Sequence, residues 1–338
     1  MKILVIRFSS IGDIVLTTPI VRCLKQQKEG VELHFLTKAA YKPVVEANPY
    51  IDKIHFLHED LEHVIDTLKE EKFDYVIDLH HNLRSLRVKR ALNVMSYTFS
   101  KLNLRKWLLV NFKLNLMPDK SIVERYFDAI KALDVKNDGQ GLDYFIPETT
   151  KVENKDIPVS HWGGYAGCVI GGSYNTKKLP VSQWKKFCSS VPYPVILLGG
   201  PEDRAEGEQI AAQDPIKIYN ACGKFDINES AWLVKHAKVV VSNDTGLMHI
   251  AAAFKKPVIS LWGNTSPAMG MFPYYGFNNM NRVVSRESVI MEEKKLYCHP
   301  CSKLGYNRCP EGHFKCMYEL DMVYLTDSVK KMWQFPNH

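Results

Sequence analysis

The chain has 338 residues, 46% apolar and 24% charged, with 44 Lys and Arg against 37 Asp and Glu for a net charge of +7. At about 150 residues per domain this length points to two domains, and the composition excludes wholesale disorder and a collagen-like fibre. No uncharged apolar run approaches the roughly 18 residues of a membrane span, and the charge is too mild for a dedicated nucleic-acid arm.

The first half alternates short apolar runs with amphipathic stretches. Strands are predicted at 2–8, 31–36, 53–56, 75–79 and 96–100, and helices at 14–28, 60–71, 83–92, 104–114 and 121–133. Lys2 leads directly into a strand, without a signal-peptide apolar region, so the protein is expected in the cytosol. The first strand ends in Arg7-Phe8-Ser9-Ser10-Ile11-Gly12-Asp13. This small polar turn before a helix offers backbone amides to an anion or a hydroxyl-rich ligand. It lacks the three glycines of a dinucleotide fingerprint. Asp13 falls in the first helical turn, where it either complements the helix dipole or stands at a cleft mouth to accept a proton.

From Leu79 to Pro118 there is no acidic residue, while Arg84, Arg87, Lys89, Arg90, Lys101, Arg105, Lys106 and Lys113 alternate with aromatic and aliphatic residues such as Trp107 and Phe112. Such a segment is either a solvated basic face or a surface for an anionic partner or lipid. The polar stretch 147–161 reads as a linker, dividing the chain into domains 1–157 and 158–338.

The second half restarts the rhythm, with strands at 168–170, 195–198, 217–219, 239–241 and 258–261 and helices at 181–189, 204–211, 229–235 and 247–254. Strands separated by helices of this length mean βαβ units and parallel sheets, hence an α/β protein of two doubly wound domains with a ligand cleft between their strand ends. Gly171-Gly172-Ser173 leads to Lys177, so close backbone approach, a hydroxyl and a compact cation come together. Glu202 and Asp203, after Gly199-Gly200, are acids for ribose hydroxyls or for capping a helix.

The most informative segment is Val239-Val-Val-Ser-Asn-Asp244-Thr245-Gly246-Leu-Met-His249. Free N–H groups at Thr245, Gly246 and Leu247 make a seat for a diphosphate. A diphosphate would repel Asp244, so Asp244 suits sugar hydroxyls or capping. His249 is a structural histidine or a phosphate donor.

Cys298-x2-Cys301-x7-Cys309-x6-Cys316 has four soft ligands in one short tail and is a candidate structural zinc site, against reduced packing thiols or a disulfide. A final helix at 327–333 is expected to pack back on the N-terminal domain.

Together these segments resemble glycosyltransferase family 9, the ADP-heptose:lipopolysaccharide heptosyltransferases. The likeness rests on Ser9-Ser10-x-Gly12-Asp13, Lys177-x-x-Pro180, Asp244-Thr245-Gly246-x-Met248-His249-x-Ala251-Ala252, Gly263-x-Thr265-x-Pro267 and the cysteine tail through Met317. Where the family pattern has a hydroxyl pair ahead of the lysine, this chain has Gly172-Ser173. The resemblance implies a GT-B fold: two Rossmann-like domains, the acceptor on the first and the donor on the second. It further implies inverting transfer with no cofactor required for catalysis. Asp13 would then be the base, with Ser9, Ser10 and Gly12 beside the reaction centre. Ser173 and Lys177 would meet the donor diphosphate, and Glu202 or Asp203 the ribose. Asp244 would hold the transferred sugar, with Thr245, Gly246 and His249 bounding the phosphate seat. The implied partners are an ADP-sugar, an anionic lipid-linked saccharide acceptor and the cytoplasmic face of the inner membrane, with no nucleic acid. The rival readings are a nucleotide-sugar epimerase of the same shape and a zinc-carrying nucleic-acid binder.

Overall fold

The run Lys2-Ile-Leu-Val-Ile6 is apolar on both faces, as a strand covered by helices above and below must be, and it forms the centre of a parallel sheet. The computed structural model describes residues 1–276 and 288–334. The first lobe runs β1 (Lys2–Ile6), α1 (Ile11–Val15), α2 (Thr18–Gln27), β2 (Glu32–Lys38), α3 (Lys42–Val45), β3 (Lys53–Leu57), α4 (Leu61–Glu70), β4 (Tyr75–Asp78), α5 (Leu83–Leu92), β5 (Met95–Thr98), α6 (Asn103–Phe112) and α7 (Ile122–Ala129). Its strands lie in the order β3-β2-β1-β4-β5, all parallel.

The second lobe runs β6 (Ala166–Val169), α8 (Val181–Ser190), β7 (Val195–Leu198), α9 (Arg204–Ala211), β8 (Ile218–Asn220), α10 (Ile227–His236), β9 (Val239–Asn243), α11 (Gly246–Ala253), β10 (Val258–Trp262) and β11 (Ser288–Glu292). Its order is β11-β10-β9-β6-β7-β8, again parallel. Both lobes are Rossmann-like, and they face each other in the GT-B arrangement. In each sheet the winding reverses where the first strand meets the fourth, β1 beside β4 and β6 beside β9. Such switch points open a crevice at the strand ends.

Three elements depart from the sequence reading. The helix expected over 14–28 is two helices. Pro19 in the first turn of α2 has no N–H to donate, and the hydroxyls of Thr17 and Thr18 donate instead to the carbonyls of Ile14 (2.7 Å) and Val15 (2.8 Å). The strand β11 was not expected, because SVIME is short and half-exposed. The C-terminal helix is longer, Met322–Trp333, with Asp321 accepting from Tyr324 N at 2.9 Å as its cap.

That last helix does not pack on the first lobe. Leu325, Val329 and Met332 bury themselves in the second lobe's core with Trp184 and Phe187, and Trp333 stacks on Tyr193 at 3.8 Å. Its apolar stripe faces α8, which leaves the first lobe no part of it. The linker is likewise packed and no free tether, since its Val152 and Ile157 are buried in a core that also takes Val5 and Met248 from the two lobes.

Candidate active site

Asp13 is the third residue of α1. Its carboxylate accepts from the backbone N (3.2 Å) and hydroxyl (2.8 Å) of Ser10, so the turn that starts the helix also orients the acid. Arg7, the residue after β1, lies 2.5 Å away through Nη2 and is nearly buried. The Arg7 guanidinium also donates to the carbonyl of Leu79, to the carbonyl of Ser9 (2.8 Å) and to the hydroxyl of Tyr126 (3.3 Å). Burial by itself would raise the Asp13 pKa. The Arg7 charge and the Ser10 hydrogen bonds outweigh it and hold the carboxyl below its ordinary value. Asp13 is therefore ionised at neutral pH, with its side chain 22% exposed.

Across from it stands the start of α11. Thr245 is extended (φ −141°, ψ 175°) and no side chain caps the helix, so its first amides are not closed off by the chain's own groups. His249, one turn in, is buried. Burial pushes its imidazole down to about 4, making it neutral at pH 7, and its Nδ1 has no hydrogen-bond partner. The lobes touch at two glycines. A Cβ on Gly246 would lie 2.8 Å from Ile11 Cγ2 and 3.2 Å from Gly12 N, so only a bare backbone allows this approach.

Asn243, at the end of β9, is buried. Its Nδ2 donates to the carbonyls of Ile170 (2.9 Å) and Gly171 (3.1 Å), and its Oδ1 accepts from Leu179 N (3.0 Å). It thereby pins the Gly171–Leu179 loop that carries Ser173 and Lys177. Lys177 Nζ lies 2.6 Å from Asp244 Oδ2, which also accepts from the Thr265 hydroxyl at 3.0 Å.

A cleft of about 580 Å³ joins these groups. Ser9, Ser10, Gly12, Asp13, Ser173, Lys177, Asp244, Thr245, Gly246 and His249 all line it, so residues chosen from distant parts of the sequence meet at one place. Glu202 and Asp203 do not. Asp203 is 1% exposed and accepts from Lys178 Nζ (2.8 Å) and Gly200 N (2.9 Å). It is a buried brace beneath Gly199 and Gly171, and the expectation that it meets ribose is corrected on that ground. Glu202 is exposed beside Gly200.

The cleft also holds residues the sequence reading missed or left on a basic face: Arg7, His80, Lys101, Lys106 and Lys303. The alternation around Lys106 placed it with Arg105 on one surface. In the structure Arg105 is exposed and Lys106 turns inward, where burial pushes it down to about 8. Arg7 had one available signal, a charged residue closing an otherwise apolar strand.

The four cysteines of the tail, read as a candidate zinc site or as reduced thiols, are free thiols in the structure. Among the described residues the only group of three metal-binding side chains with ligand atoms within 4.8 Å is His34, His55 and Glu71. Those three are occupied with each other and with lysines, His34 Nδ1 being 2.9 Å from His55 Nε2 and Lys2 Nζ 3.0 Å from Glu71. Cys298 Sγ is 3.7 Å from His313 Nε2, and His299 is bound to Glu292 at 2.8 Å. Burial and then the neighbouring thiols push Cys316 up to about 12. The four thiols are neighbours that do not converge as a tetrahedral site requires.

Residues 62–299 match the family model of glycosyltransferase family 9 (heptosyltransferase). The chain is 25% identical over 332 residues to lipopolysaccharide heptosyltransferase 1 of Campylobacter coli, covering 88% of this chain and 92% of that one. It superposes on the Escherichia coli ADP-heptose lipopolysaccharide heptosyltransferase II with a TM-score of 0.71 at 18% identity, covering 98% of each. It also superposes on the E. coli heptosyltransferase WaaC solved with ADP-2-deoxy-2-fluoro heptose, with a TM-score of 0.66 at 17% identity, covering 98% of this chain and 99% of that one. A family match over most of the length, joined to a two-lobed cleft that carries the family's motifs, means that this chain belongs to glycosyltransferase family 9 and is a glycosyltransferase.

Proposed function

We propose that this enzyme moves a heptose from ADP-heptose to an anionic, lipid-linked saccharide of the lipopolysaccharide inner core, with inversion at the anomeric carbon. The observation that carries the reading is that an ionised carboxylate from one lobe and an uncapped helix start from the other face the same cleft. The ADP-heptose analogue in the E. coli relative supports the choice of donor.

An acceptor hydroxyl attacks the anomeric carbon, and its proton passes to the Asp13 carboxylate as the new C–O bond forms. The bond from that carbon to the β-phosphate oxygen breaks, and ADP leaves with the electron pair. Lys177, Ser173 and the first amides of α11 stabilise the charge that develops on the diphosphate, usually the largest contribution in such a site. Asp244, held by Thr265, takes hydroxyls of the transferred sugar, and Glu202 is the acid available to ribose. Residues 1–157 then serve as the acceptor domain and 158–338 as the donor domain.

Among the described residues no helix is long and apolar enough to cross a membrane. The exposed Leu104, Trp107 and Phe112 of α6, beside Arg105, would instead rest on the cytoplasmic face of the inner membrane. Sedimentation with phosphatidylglycerol vesicles should fall for a Trp107→Ser, Phe112→Ser double variant. A structural zinc would require the four tail sulfurs to draw together, and metal analysis of the purified protein tests for it.

The deciding experiment is a thermal-shift panel of ADP-, UDP-, GDP- and CDP-sugars followed by an assay of ADP release with acceptor. Stabilisation by ADP-linked donors and acceptor-dependent release are expected. A null panel would overturn the reading.

A further inference from the structure

Leu4, Leu36 and Leu57 make an apolar face on the first sheet, packed with Leu61, Val64 and Leu68 of α4. Successive strand residues alternate faces, so His34 of β2 shares this face with Leu36, and His55 of β3 shares it with Leu57. Both histidines are buried. Phe73 packs edge-on against both rings, with centroids 5.1 Å and 6.2 Å away. Glu71, the residue that ends α4, closes the remaining side.

The three side chains converge. His34 Nδ1 lies 2.9 Å from His55 Nε2 and 4.0 Å from Glu71 Oε2, and one ligand atom from each residue falls within 4.8 Å of the other two. Two ligand atoms on one tetrahedral zinc, at bonds of about 2.0–2.1 Å, stand roughly 3.3 Å apart. The 2.9 Å and 4.0 Å separations bracket that value.

The surrounding groups are arranged to match. His34 Nε2 lies 2.8 Å from Glu32 Oε1. An ionised carboxylate only accepts, so it draws the proton of a neutral His34 to Nε2 and leaves the Nδ1 lone pair aimed at His55 and Glu71. Metal-ligating histidines are oriented by a carboxylate in this way. The lysines leave room for an ion. Lys53 binds Glu71 through Oε1, and Lys2 Nζ reaches both Glu71 Oε2 (3.0 Å) and Glu32 Oε1 (3.1 Å). With Oε2 given to a metal, Lys53 keeps Oε1 and Lys2 keeps Glu32.

We propose that His34 Nδ1, His55 Nε2 and one oxygen of Glu71 bind a single zinc ion, with water from the exposed Lys53 side as fourth ligand. Two imidazole nitrogens and one carboxylate suit zinc better than magnesium or calcium, which take oxygen. As the ion enters, the proton between the rings moves to His55 Nδ1, so that both lone pairs face the metal. The ion ties the starts of β2 and β3 to the end of α4. That is the far end of the sheet from Asp13, so the site serves the fold of the first lobe, takes no part in transfer and does not rest on the transferase reading.

The test is titration of the chelator-stripped full chain with Zn²⁺, and with Co²⁺ as its coloured substitute. Wild type is expected to bind one more equivalent than His55→Gln. The difference between their Co²⁺ spectra should show the visible absorption of a four-coordinate ion without the thiolate-to-cobalt charge transfer that tail cysteines would give. Zn²⁺ should raise the thermal midpoint of wild type more than that of His55→Gln. Glu32→Gln, at an exposed position that does not threaten the fold, should weaken Zn²⁺ binding at this site about tenfold, the lower end of the usual loss when such an outer partner is changed. Equal stoichiometry in wild type and His55→Gln, or a difference spectrum carrying the thiolate band, would overturn the site. An unchanged Zn²⁺ Kd in Glu32→Gln would overturn it too, even where His55→Gln does not fold.

Discussion

Gly12 and His249 meet across the two lobes: a Cβ on Gly12 would lie 2.7 Å from His249 Cδ2 and 3.3 Å from the Gly246 backbone. His249 is 2% exposed and has no room to swing away. The distance between the carboxylate of Asp13 and the start of α11 is thus set by two helices touching through glycine. Gly12→Ala should destabilise the fold by about 1–3 kcal/mol, the usual cost of overpacking, and should lower turnover further by prising the helix starts apart. Thermal unfolding and kcat on the same preparation check both effects, and a variant of unchanged kcat would contradict the account.

Asp13→Asn keeps the shape of the side chain and removes its basicity. Turnover should fall about 10² to 10⁴-fold, the contribution typical of a general base, while ADP binding by calorimetry stays as in wild type. A loss of less than tenfold would rule the role out.

The Arg7 pair fixes how that base responds to acid. A carboxyl held below its ordinary pKa remains ionised as pH falls through the usual carboxylate range. The acid limb that Asp13 contributes to the kcat/KM–pH profile, which reports the free enzyme, should therefore lie below the ordinary carboxylate value. The stability that the pair contributes is present above the unfolded pKa and lost only as pH falls through the lower folded one. Arg7→Met should move the acid limb to higher pH. His249, already neutral above about 4, should add no inflection near pH 6.5.

Lys177 and Asp244 hold each other at 2.6 Å, and under the proposed function a donor diphosphate would compete for the same ammonium. Lys177→Ala should weaken ADP binding about tenfold or more, as expected for loss of a charged hydrogen-bond donor. Isothermal titration gives the answer directly, and an unaltered Kd would remove Lys177 from the phosphate seat.

Asp203 should behave as a structural residue. Asp203→Asn leaves the Lys178 ammonium, 11% exposed, with Glu206 as its remaining partner at 2.7 Å. Breaking a buried pair from one side costs about 3 kcal/mol at the lower end of the usual range, to be read as a shift in the urea midpoint. The donor KM should be little changed, and a large rise in it with normal stability would restore the ribose role.

The sequence itself carried the architecture, because its information there is local. Alternating apolar strands and amphipathic helices dictate parallel sheets, and small polar residues after a strand expose the amides of the helix that follows. From these the segments Ser9 to Asp13 and Asp244 to His249 could be read as polar turns at strand ends, while the roles expected of their residues came from the resemblance to glycosyltransferase family 9; the structure brings both segments to one cleft. What depended on the tertiary structure was direction and partnership. Whether Lys106 faces solvent or the cleft depends on the phase of α6 against elements far away in the chain. Lys303 reaches the cleft on a tail whose carbonyls at Cys298 and Pro300 accept from Lys113. Asp203 looks like a ligand for hydroxyls until Lys178 and two glycine turns close over it, and the last helix chooses its lobe by where an apolar groove lies open. Hydrophobic periodicity reports which residues leave water, but the identity of the groups they meet is settled only when separate segments are brought within a few ångströms, where charge and steric contact act.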